Sequence, residues 1–360
     1  MNKKKKIGIV GIVGIPANYG GFETLVENLT YHDKQNKYTV YCSSFSYNNK
    51  QKNHNGATLK YINLKANGFQ SIFYDAYALI HSSFHNDKTL LLGISGAIII
   101  PLIKIFKKSS IIVNVDGIEW KRDKWNLIAK YFLKISEYIC IKFCDEIVSD
   151  NKGIQEYIFD RYSKKSTIIA YGSKKYHSKS NNFIKQLGLK NNDYAFSVCR
   201  IEPENNLHLI LDAFKKFNLL KIVIVGNWDN SHYGRKLLKE YKNCKNILMI
   251  NPIYEINRLN QFRANCKIYV HGHSAGGTNP SLVEAMSLKL PILAYDVNFN
   301  RYTLNNFGYY FKDSKQLIEI LTDMKNLDLE NQRKNIYRTF IMNYSWNKVT
   351  NDYKKLFMKD

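Results

Sequence analysis

Cysteine is scarce in this chain of 360 residues, and its spacing excludes a disulfide framework and a thiolate metal site. Six cysteines are present, and no two of them form a Cys-x-x-Cys pair. Cys140 and Cys144 fall one helical turn apart within an apolar segment. This usage predicts reduced core thiols in a cytosolic protein.

Several ligand-binding signatures are also missing. The glycines at 8, 11 and 14 do not match Gly-x-Gly-x-x-Gly, and no Walker lysine follows them. No Asp-x-Asp occurs, so nothing suggests a metal ion holding a diphosphate. His271 and His273 resemble a metal pair, but no third ligand has a suitable spacing. We therefore predict no metal site, and we expect one histidine in the core and the other lining a cleft.

Acidic residues are few beside basic ones, with 30 Asp and Glu against 53 Lys and Arg and a formal charge of +23. The excess is spread over both halves, without a basic arm or tail. It is consistent with compositional bias of the source genome, or with attraction to an anionic membrane, phosphorylated substrates or nucleic acid. Nucleic acid is the weakest of these, since no zinc-finger spacing, RNP-like motif or base-reading helix is found.

Long apolar runs are also rare. The run at 89–106 is interrupted by two glycines, a proline and a lysine, and a buried strand, a turn and a short helix explain it better than a membrane span. The N-terminal lysines precede a glycine-interrupted segment at 7–15 that has no small-residue cleavage site. We interpret that segment as a first strand and not as a signal peptide.

What the chain does contain is a regular alternation of β-rich and helical segments. The alternation runs to about residue 170 and restarts after a polar junction that ends near residue 192. It predicts two doubly wound, Rossmann-like α/β domains at 1–172 and 173–343, followed by a last helix at 344–360. Tandem domains of this kind place a ligand cleft between them, at the carboxyl ends of both sheets.

The most informative segment is 271–286, which has the pattern of a strand end, a glycine-rich turn and a helix start. Asn279 is a good N-cap and Pro280 a good first helical residue. The N–H groups of such a helix start favour a bound phosphate, and Glu284 could accept hydrogen bonds from sugar hydroxyls. An alternative is that Ser281 and Glu284 form a capping box that only ties back the helix start.

Three other loops follow predicted strands. Gly20 and Gly21 lie where the first strand turns into a helix, so a ligand could approach the backbone there, although a tight loop without a ligand is the alternative. Residues 113–125 carry carboxylates, cations and tryptophans, which suits polar chemistry or an exposed salt-bridged loop. Arg200 suits bidentate phosphate binding, although an isolated arginine of this kind is more often in a structural ion pair.

These segments, in this order, resemble the nucleotide-sugar glycosyltransferases of family 4, which have the two-domain GT-B fold. The similarity covers essentially the full chain and is strongest to a rhamnosyltransferase-like subgroup of capsule and polysaccharide synthesis. Four motifs carry the resemblance: Gly14-Ile-Pro-Ala-Asn-Tyr-Gly-Gly-Phe-Glu-Thr24, Val115-Asp-Gly-Ile-Glu-Trp-Lys-Arg122, Cys199-Arg-Ile-Glu-Pro-Glu-Asn-Asn206 and Gly276-Gly-Thr-Asn-Pro-Ser-Leu-Val-Glu-Ala-Met286.

The resemblance implies roles for residues at the matching positions. Catalytic roles would fall to Asp116, Glu119 and Arg200, with Arg200 neutralising the donor diphosphate. The acceptor would be bound by Asn18, Tyr19, Lys121 and Arg122. The donor would be bound by Gly20, Gly21, Arg200, Gly276, Gly277, Thr278, Asn279, Ser281, Leu282 and Glu284, with Glu284 on the ribose and the backbone at 281–282 on phosphate. The last helix would cross back to the first domain.

The chain departs from the broader family at two positions. Gly276 stands where that family has a glutamate, and Asn205 stands where it has a lysine. The resemblance therefore implies a different contact to the donor sugar and one fewer fixed cation near the diphosphate. Lys121 or Arg122 could supply that missing charge.

The expected activity is a retaining, metal-independent hexosyltransferase that needs no cofactor. The donor would be a nucleotide sugar, most specifically dTDP-rhamnose, from which L-rhamnose is transferred. The acceptor would be a polyprenyl-diphosphate-linked saccharide or an oligosaccharide. The protein would be cytoplasmic and would contact the anionic inner face of the cell membrane, with no nucleic acid as a partner. A nucleotide-sugar epimerase of the same fold and a non-catalytic saccharide- or polyanion-binding protein are the alternatives.

Overall fold

The structure is a computed structural model that describes residues 4–18, 20–106, 109–115, 117–121, 125–176 and 180–359. It divides into two compact units. The first unit comprises Met1–Gly172 and Trp346–Asp360, and the second comprises Ser173–Ser345. Each unit is built around its own sheet and its own hydrophobic core.

The described residues of the first unit contain an eight-stranded sheet in the order β3-β4-β2-β1-β5-β6-β7-β8. All neighbouring strands are parallel except β3, which runs antiparallel to β4. The strands are β1 (Lys6–Val10), β2 (Lys37–Ser43), β3 (Asn53–His54), β4 (Ala57–Ile62), β5 (Lys88–Leu92), β6 (Ser110–Val115), β7 (Glu146–Ser149) and β8 (Thr167–Ile168).

Helices connect these strands. They are α1 (Gly21–His32), α2 (Gln70–His85), α3 (Ile100–Phe106), α4 (Leu127–Phe143) and α5 (Lys152–Tyr162), with short 3-10 turns at Ser44–Ser46, Ala97–Ile99 and Glu119–Lys121. Crossovers between parallel strands are right-handed, so the connections from β4 through β8 lie on one face of the sheet and α1 lies on the other. In agreement, α3 packs against both α2 and α4.

The described residues of the second unit contain a six-stranded, fully parallel sheet in the order β11-β10-β9-β12-β13-β14. Its strands are β9 (Tyr194–Val198), β10 (Lys221–Val225), β11 (Ile247–Ile250), β12 (Ile268–His271), β13 (Ile292–Tyr295) and β14 (Tyr309–Phe311). Its helices are α6 (Asn182–Gln186), α7 (Leu207–Lys216), α8 (His232–Tyr241), α9 (Ile256–Asn265), α10 (Pro280–Ser287), α11 (Asn298–Thr303), α12 (Ser314–Thr322) and α13 (Leu329–Asn343), with a 3-10 turn at Pro203–Asn205.

The last helix, α14 (Trp346–Met358), belongs to the first unit. It packs against α1 and buries Trp346, Tyr353 and Phe357 in the core of that unit. The Tyr353 hydroxyl accepts a hydrogen bond of 2.6 Å from Asn114 Nδ2 at the end of β6.

The predicted α/β class with two Rossmann-like sheets is confirmed. One local prediction was wrong. The first strand is Lys6–Val10 and not 7–15, because Gly11 adopts φ 92° and lies so close to the neighbouring strand β5 that a Cβ would be 2.2 Å from Leu92 O. The polar junction ending near residue 192 contains the short helix α6.

Candidate functional site

The strand order of the second sheet reverses between β9 and β12, which are hydrogen-bonded neighbours. From β9 the chain proceeds outward to β10 and β11, and it returns to start β12 on the other side of β9. Ligands of open α/β sheets bind outside the carboxyl ends of the strands at such a reversal. The loops that follow β9 and β12 carry two of the four sequence motifs, so the fold brings these motifs together.

Hydrogen bonds join these two loops. The Ser274 amide donates to Glu204 O at 2.9 Å, and Asn206 Nδ2 donates to Gly272 O at 2.9 Å. From α11, Asn300 Nδ2 donates to His273 O at 2.8 Å. The turn between β12 and α10 is therefore fixed from two sides.

Arg200 and Asn205 lie on the loop after β9 and differ in environment. The Arg200 side chain is 54% exposed and lies 3.7 Å from the Glu204 carboxylate. Such an exposed pair is weak, so the guanidinium can bind an anionic ligand at little cost. Asn205 is buried, and its Nδ2 donates to Arg200 O at 2.9 Å while its Oδ1 lies 2.9 Å from His273 Nδ1. Asn205 thus supports the Arg200 backbone and the facing loop.

The start of α10 is capped by Asn279, with Pro280 in the first turn, as the sequence predicts. Asn279 Oδ1 accepts hydrogen bonds from the Ser281 amide at 3.0 Å and the Ser281 hydroxyl at 2.8 Å. The Leu282 amide donates to Asn279 O at 3.1 Å, and the Leu282 side chain is buried. A phosphate bound by the Ser281 amide would therefore replace the Asn279 side chain.

Glu284 is held by an arginine that the sequence did not single out. Its carboxylate pairs with Nη2 of Arg263 on α9, and Arg263 is only 2% exposed. Arg263 Nη1 also donates to Asn260 Oδ1 at 3.0 Å. The capping-box alternative for Ser281 and Glu284 is wrong, because the cap is Asn279 and the glutamate carboxylate is engaged by Arg263. An arginine among the apolar positions of α9 was the sequence signal that could have revealed this pair.

The glycine turn before α10 has specific backbone requirements. Gly276 adopts φ 89°, and a Cβ there would meet nothing nearer than His273 Nε2 at 3.9 Å. Glycine is thus needed for backbone conformation and not for space. Gly277 is partly exposed, and the Thr278 that follows it is buried.

Two titratable side chains near this loop, the buried His271 and the partly buried Cys199, have shifted pKa values. His271 ends β12 in the core, where burial above all, and also the proximity of His273, lowers the pKa of its imidazole well below the usual value. Burial also raises the pKa of the Cys199 thiol, to about 12. The partly exposed histidine of the predicted pair is His273.

The first sheet has its own reversal, between β1 and β5. The loop after β1 contains exposed Asn18 and leads through Gly20 into α1 at Gly21. Gly20 adopts φ 123°, and a Cβ there would lie 1.9 Å from Glu23 Oε2. Gly21 is exposed, and a Cβ there would make only an ordinary contact, at 3.6 Å, with Tyr171.

Two carboxylates of α1 hold this loop in place, and the sequence did not predict that role. Glu23 Oε1 accepts from the Val13 amide at 2.9 Å, and Glu27 Oε2 accepts from the Ala17 amide at 3.1 Å. The other Glu27 oxygen lies 2.6 Å from His54 Nε2. The glycine turn is therefore preorganised by side chains from the helix that it introduces.

The loop after β6 carries the remaining predicted residues. Glu119 Oε2 accepts from Trp125 Nε1 at 3.4 Å, and Lys121 Nζ lies 5.5 Å from the centre of the Trp120 ring. Asp116, Tyr19 and Arg122 lie outside the described residues. In the described chain, no three His, Cys, Asp or Glu side chains come together as a metal site.

Each unit contains a doubly wound sheet with a glycine-containing loop at its strand-order reversal. Two family models match the chain. A family model described as glycosyl transferases group 1 matches residues 179–339, and one described as a domain of unknown function (DUF1972) matches residues 4–174. No curated protein matches the chain significantly.

Solved structures of similar fold extend over nearly the whole chain. Sucrose-phosphate synthase from Thermosynechococcus elongatus has a TM-score of 0.80 at 12% identity and covers 98% of each chain. HepE from Anabaena, in complex with UDP-glucose, has a TM-score of 0.76 at 13% identity and covers 98% of this chain and 99% of its own. A glycosyltransferase from Rickettsia africae has a TM-score of 0.72 at 13% identity, covering 99% of this chain and 98% of its own. The fold is GT-B, and the group 1 match supports a glycosyltransferase.

Proposed function

We propose that this protein transfers L-rhamnose from dTDP-rhamnose to a lipid-linked or oligosaccharide acceptor in bacterial surface polysaccharide synthesis. Transfer would retain the anomeric configuration and need no metal ion. The acceptor we propose is a polyprenyl-diphosphate-linked saccharide at the cytoplasmic face of the membrane. The group 1 match supports the transferase class, and the UDP and UDP-glucose named for HepE support a nucleotide-sugar donor.

The observation that carries the proposal is the joining of the Arg200 loop to the turn before α10, at the strand reversal of the second sheet. Arg200 would neutralise the charge that develops on the leaving diphosphate, and the N-terminal end of α10 would add its dipole. Glu284, oriented by Arg263, would accept a hydrogen bond from the 3′-hydroxyl of the deoxyribose. Gly276, Gly277, Thr278 and Asn279 would line the phosphate and sugar.

The first unit would supply the acceptor contacts and, through Gly20 and Gly21, part of the donor site. Gly20 and Gly21 would allow close approach of a substrate to the backbone, beside Asn18 and Tyr19. Asp116, assisted by Glu119, would position the acceptor hydroxyl or stabilise the oxocarbenium-like sugar. Lys121 and Arg122 would attract the acceptor diphosphate. The acceptor proton would pass to the leaving diphosphate oxygen on the same face of the sugar.

Thermal unfolding with a panel of nucleotide sugars tests the donor. We expect dTDP-rhamnose at 100 times its Kd to stabilise the protein by about 2.7 kcal/mol, and UDP-glucose to have little effect. Arg200→Ala should lose most of that stabilisation and most of the turnover, whereas Arg235→Ala, at an exposed arginine on α8 of the same unit, should lose neither. Stabilisation by UDP-sugars alone would contradict dTDP-rhamnose as the donor. If no nucleotide sugar stabilises the protein, the transferase assignment is contradicted.

A further inference from the structure

The outer side of α2 in the first unit is apolar, although it faces away from the sheet. Phe73, Tyr77, Ile80 and Phe84 are all exposed, and they recur at intervals of four, three and four residues. Side chains at this spacing form one stripe along a helix. Phe69, just before the helix, extends the stripe and is 76% exposed. The opposite side of α2 is also apolar, with Tyr74, Ala78 and Leu79 in the core.

The same pattern recurs on the helices beside α2. On α4, Ile128, Tyr131, Ile135 and Tyr138 are exposed at intervals of three, four and three residues, and Ile128 is 83% exposed. Between α2 and α4, the 3-10 turn at Ala97–Ile99 and the helix α3 that follows it expose Ile98, Leu102 and Ile105, at intervals of four and three residues. Because α3 packs against both neighbours, the three stripes lie side by side on one face of the sheet. We call them the apolar layer. Monomeric soluble proteins rarely expose contiguous apolar patches of this kind unless they bind something.

The exposed charged side chains of these helices are all basic. Their two acidic residues, Asp75 and Glu137, are buried at 3% and 0% exposure. The exposed charged side chains Lys134 and Lys142 are both on α4. An apolar face with basic residues and tyrosines is the composition of helices that lie in the surface of an anionic bilayer. Two copies of the same face would oppose lysine to lysine, which disfavours self-association.

The layer also reaches the edge of the sheet where substrates would bind. In parallel α/β units, a helix that follows a strand begins near that strand's carboxyl end. Phe69 and Ile128 therefore lie toward the edge that carries the loops after β1 and β6, with Asn18, Glu119 and Lys121. None of the described helices is long and apolar enough to cross a membrane.

We propose that the apolar layer of α2, α3 and α4 docks the first unit onto a bilayer containing anionic lipids. The apolar side chains enter the boundary between headgroups and acyl chains, and Lys134 and Lys142 attract the anionic headgroups. Docking in this orientation brings the loops after β1 and β6 to the membrane surface. The benefit of that orientation for a lipid-linked acceptor rests on the proposed function, but the docking itself does not.

The 360-residue chain is mixed with vesicles of phosphatidylcholine alone or with about one third phosphatidylglycerol, whose anionic headgroups attract basic side chains. Bound protein is measured by co-sedimentation. We expect binding to the anionic vesicles, weakened at least tenfold by the triple change Phe73→Ser, Leu102→Ser and Ile128→Ser. The double change Lys134→Glu and Lys142→Glu should also weaken binding at least tenfold and remove its dependence on salt. These vesicles carry neither donor nor acceptor, so the result is independent of transfer activity.

A matched control makes the same kind of change in the second unit. Leu219→Ser, Tyr254→Ser and Met342→Ser replace three exposed apolar side chains there, and this variant should bind vesicles like the wild type. Thermal unfolding and sedimentation velocity are recorded for every variant. The proposal is overturned if the wild type does not bind anionic vesicles. It is also overturned if the control variant of the second unit loses as much binding as the triple variant of the first unit. A wild-type dimer that the first triple variant makes monomeric would also overturn it, because a second copy would then cover the layer.

Discussion

The first unit buries Asp75 and Glu137 beneath helices whose outer sides are apolar, whereas the second unit pairs the buried Arg263 with the partly buried Glu284 and exposes few large apolar side chains on its helices. In the first unit, the Asp75 carboxylate accepts from the Ser95 hydroxyl, and Glu137 accepts from the hydroxyls of Tyr157 and Tyr162. In the second unit, Arg263 pairs with Glu284. Among the described residues of its helices, no helix of the second unit has more than one exposed large apolar side chain.

This difference separates two kinds of surface on sheets of similar plan. The α8 helix of the second unit exposes Arg235, Lys236, Lys239 and Glu240, which is the usual outer face of an α/β protein. Exposed apolar stripes on α2 and α4 add nothing to the core, so a function must account for them. Substitutions at Arg263 in the second unit and at Asp75 in the first test how these buried side chains affect the stability of each unit.

The largest effect is expected from Arg263→Met, which keeps much of the apolar stem and removes the charge. It leaves the Glu284 carboxylate without its cation, and breaking a buried pair costs about 3 to 5 kcal/mol. We expect a loss of about 3 kcal/mol in the free energy of unfolding, at the low end because Glu284 is 21% exposed. Urea denaturation measures this, and donor binding should weaken as well.

The control for this change lies on the same helix. Arg258 pairs with Glu255 at 2.8 Å, and both side chains are more than half exposed. Arg258→Met should cost no more than about 1 kcal/mol, as is usual for surface pairs. Equal losses for the two variants would mean that the Arg263 pair stabilises no more than a surface contact does.

A smaller effect, of opposite sign, is expected from Asp75→Asn in the first unit. Burial raises the pKa of Asp75 to about 7, from an ordinary value of 3.8. The folded state therefore favours the protonated carboxyl, and this contribution to stability is lost as the pH rises from about 4 through 7. The asparagine variant stays neutral, so at pH 8 it should exceed the wild type in stability by more than about 1 kcal/mol, the equivalent of one pKa unit.

The pH dependence supplies the check on Asp75. Urea midpoints of the wild type and the variant should converge near pH 4, where both carry a neutral side chain. In the second unit, a hydrogen bond from Lys216 lowers the pKa of Asp212, so Asp212→Asn should instead destabilise slightly at pH 8 and not at low pH. An Asp75→Asn offset that is the same at pH 4 and pH 8 contradicts the assigned cause.

The positions of the loops in both units could be predicted from the sequence, because buried parallel strands give short apolar runs and the residues after them must gather at one edge. The helix start at Asn279 and Pro280 could also be predicted, because an N-cap and a first-turn proline act locally. Partners that come from other elements could not be predicted. Arg263 meets Glu284 only because α9 and α10 pack together, and Glu23 and Glu27 look like ordinary helix acids until the loop folds back over them.

The apolar layer was missed for a different reason. In the sequence, apolar residues fall on more than one side of α2 and α4, and nothing local distinguishes an exposed apolar stripe from a buried one. The apolar run at 89–106 is the most membrane-like in the sequence, but the strand β5 at its start is fully buried. Only the sheet order shows which helix sides are left without a covering element.

The smallest effect on stability is expected from Gly21→Ala. This substitution can therefore show an effect on substrate binding that is not caused by a loss of folding. A Cβ at Gly21 meets only Tyr171, at 3.6 Å, so Gly21→Ala should change the free energy of unfolding by less than about 0.5 kcal/mol. If a substrate approaches the backbone here, the added methyl group should still reduce turnover at least tenfold. In the second unit, Gly276→Ala should cost about 1 kcal/mol through its φ of 89°, with open space around the new methyl. Normal turnover by a stable Gly21→Ala protein would mean that the glycine turn of the first unit only sets the backbone conformation and does not contact substrate. Contact between a glycine turn and substrate would then be expected in the second unit.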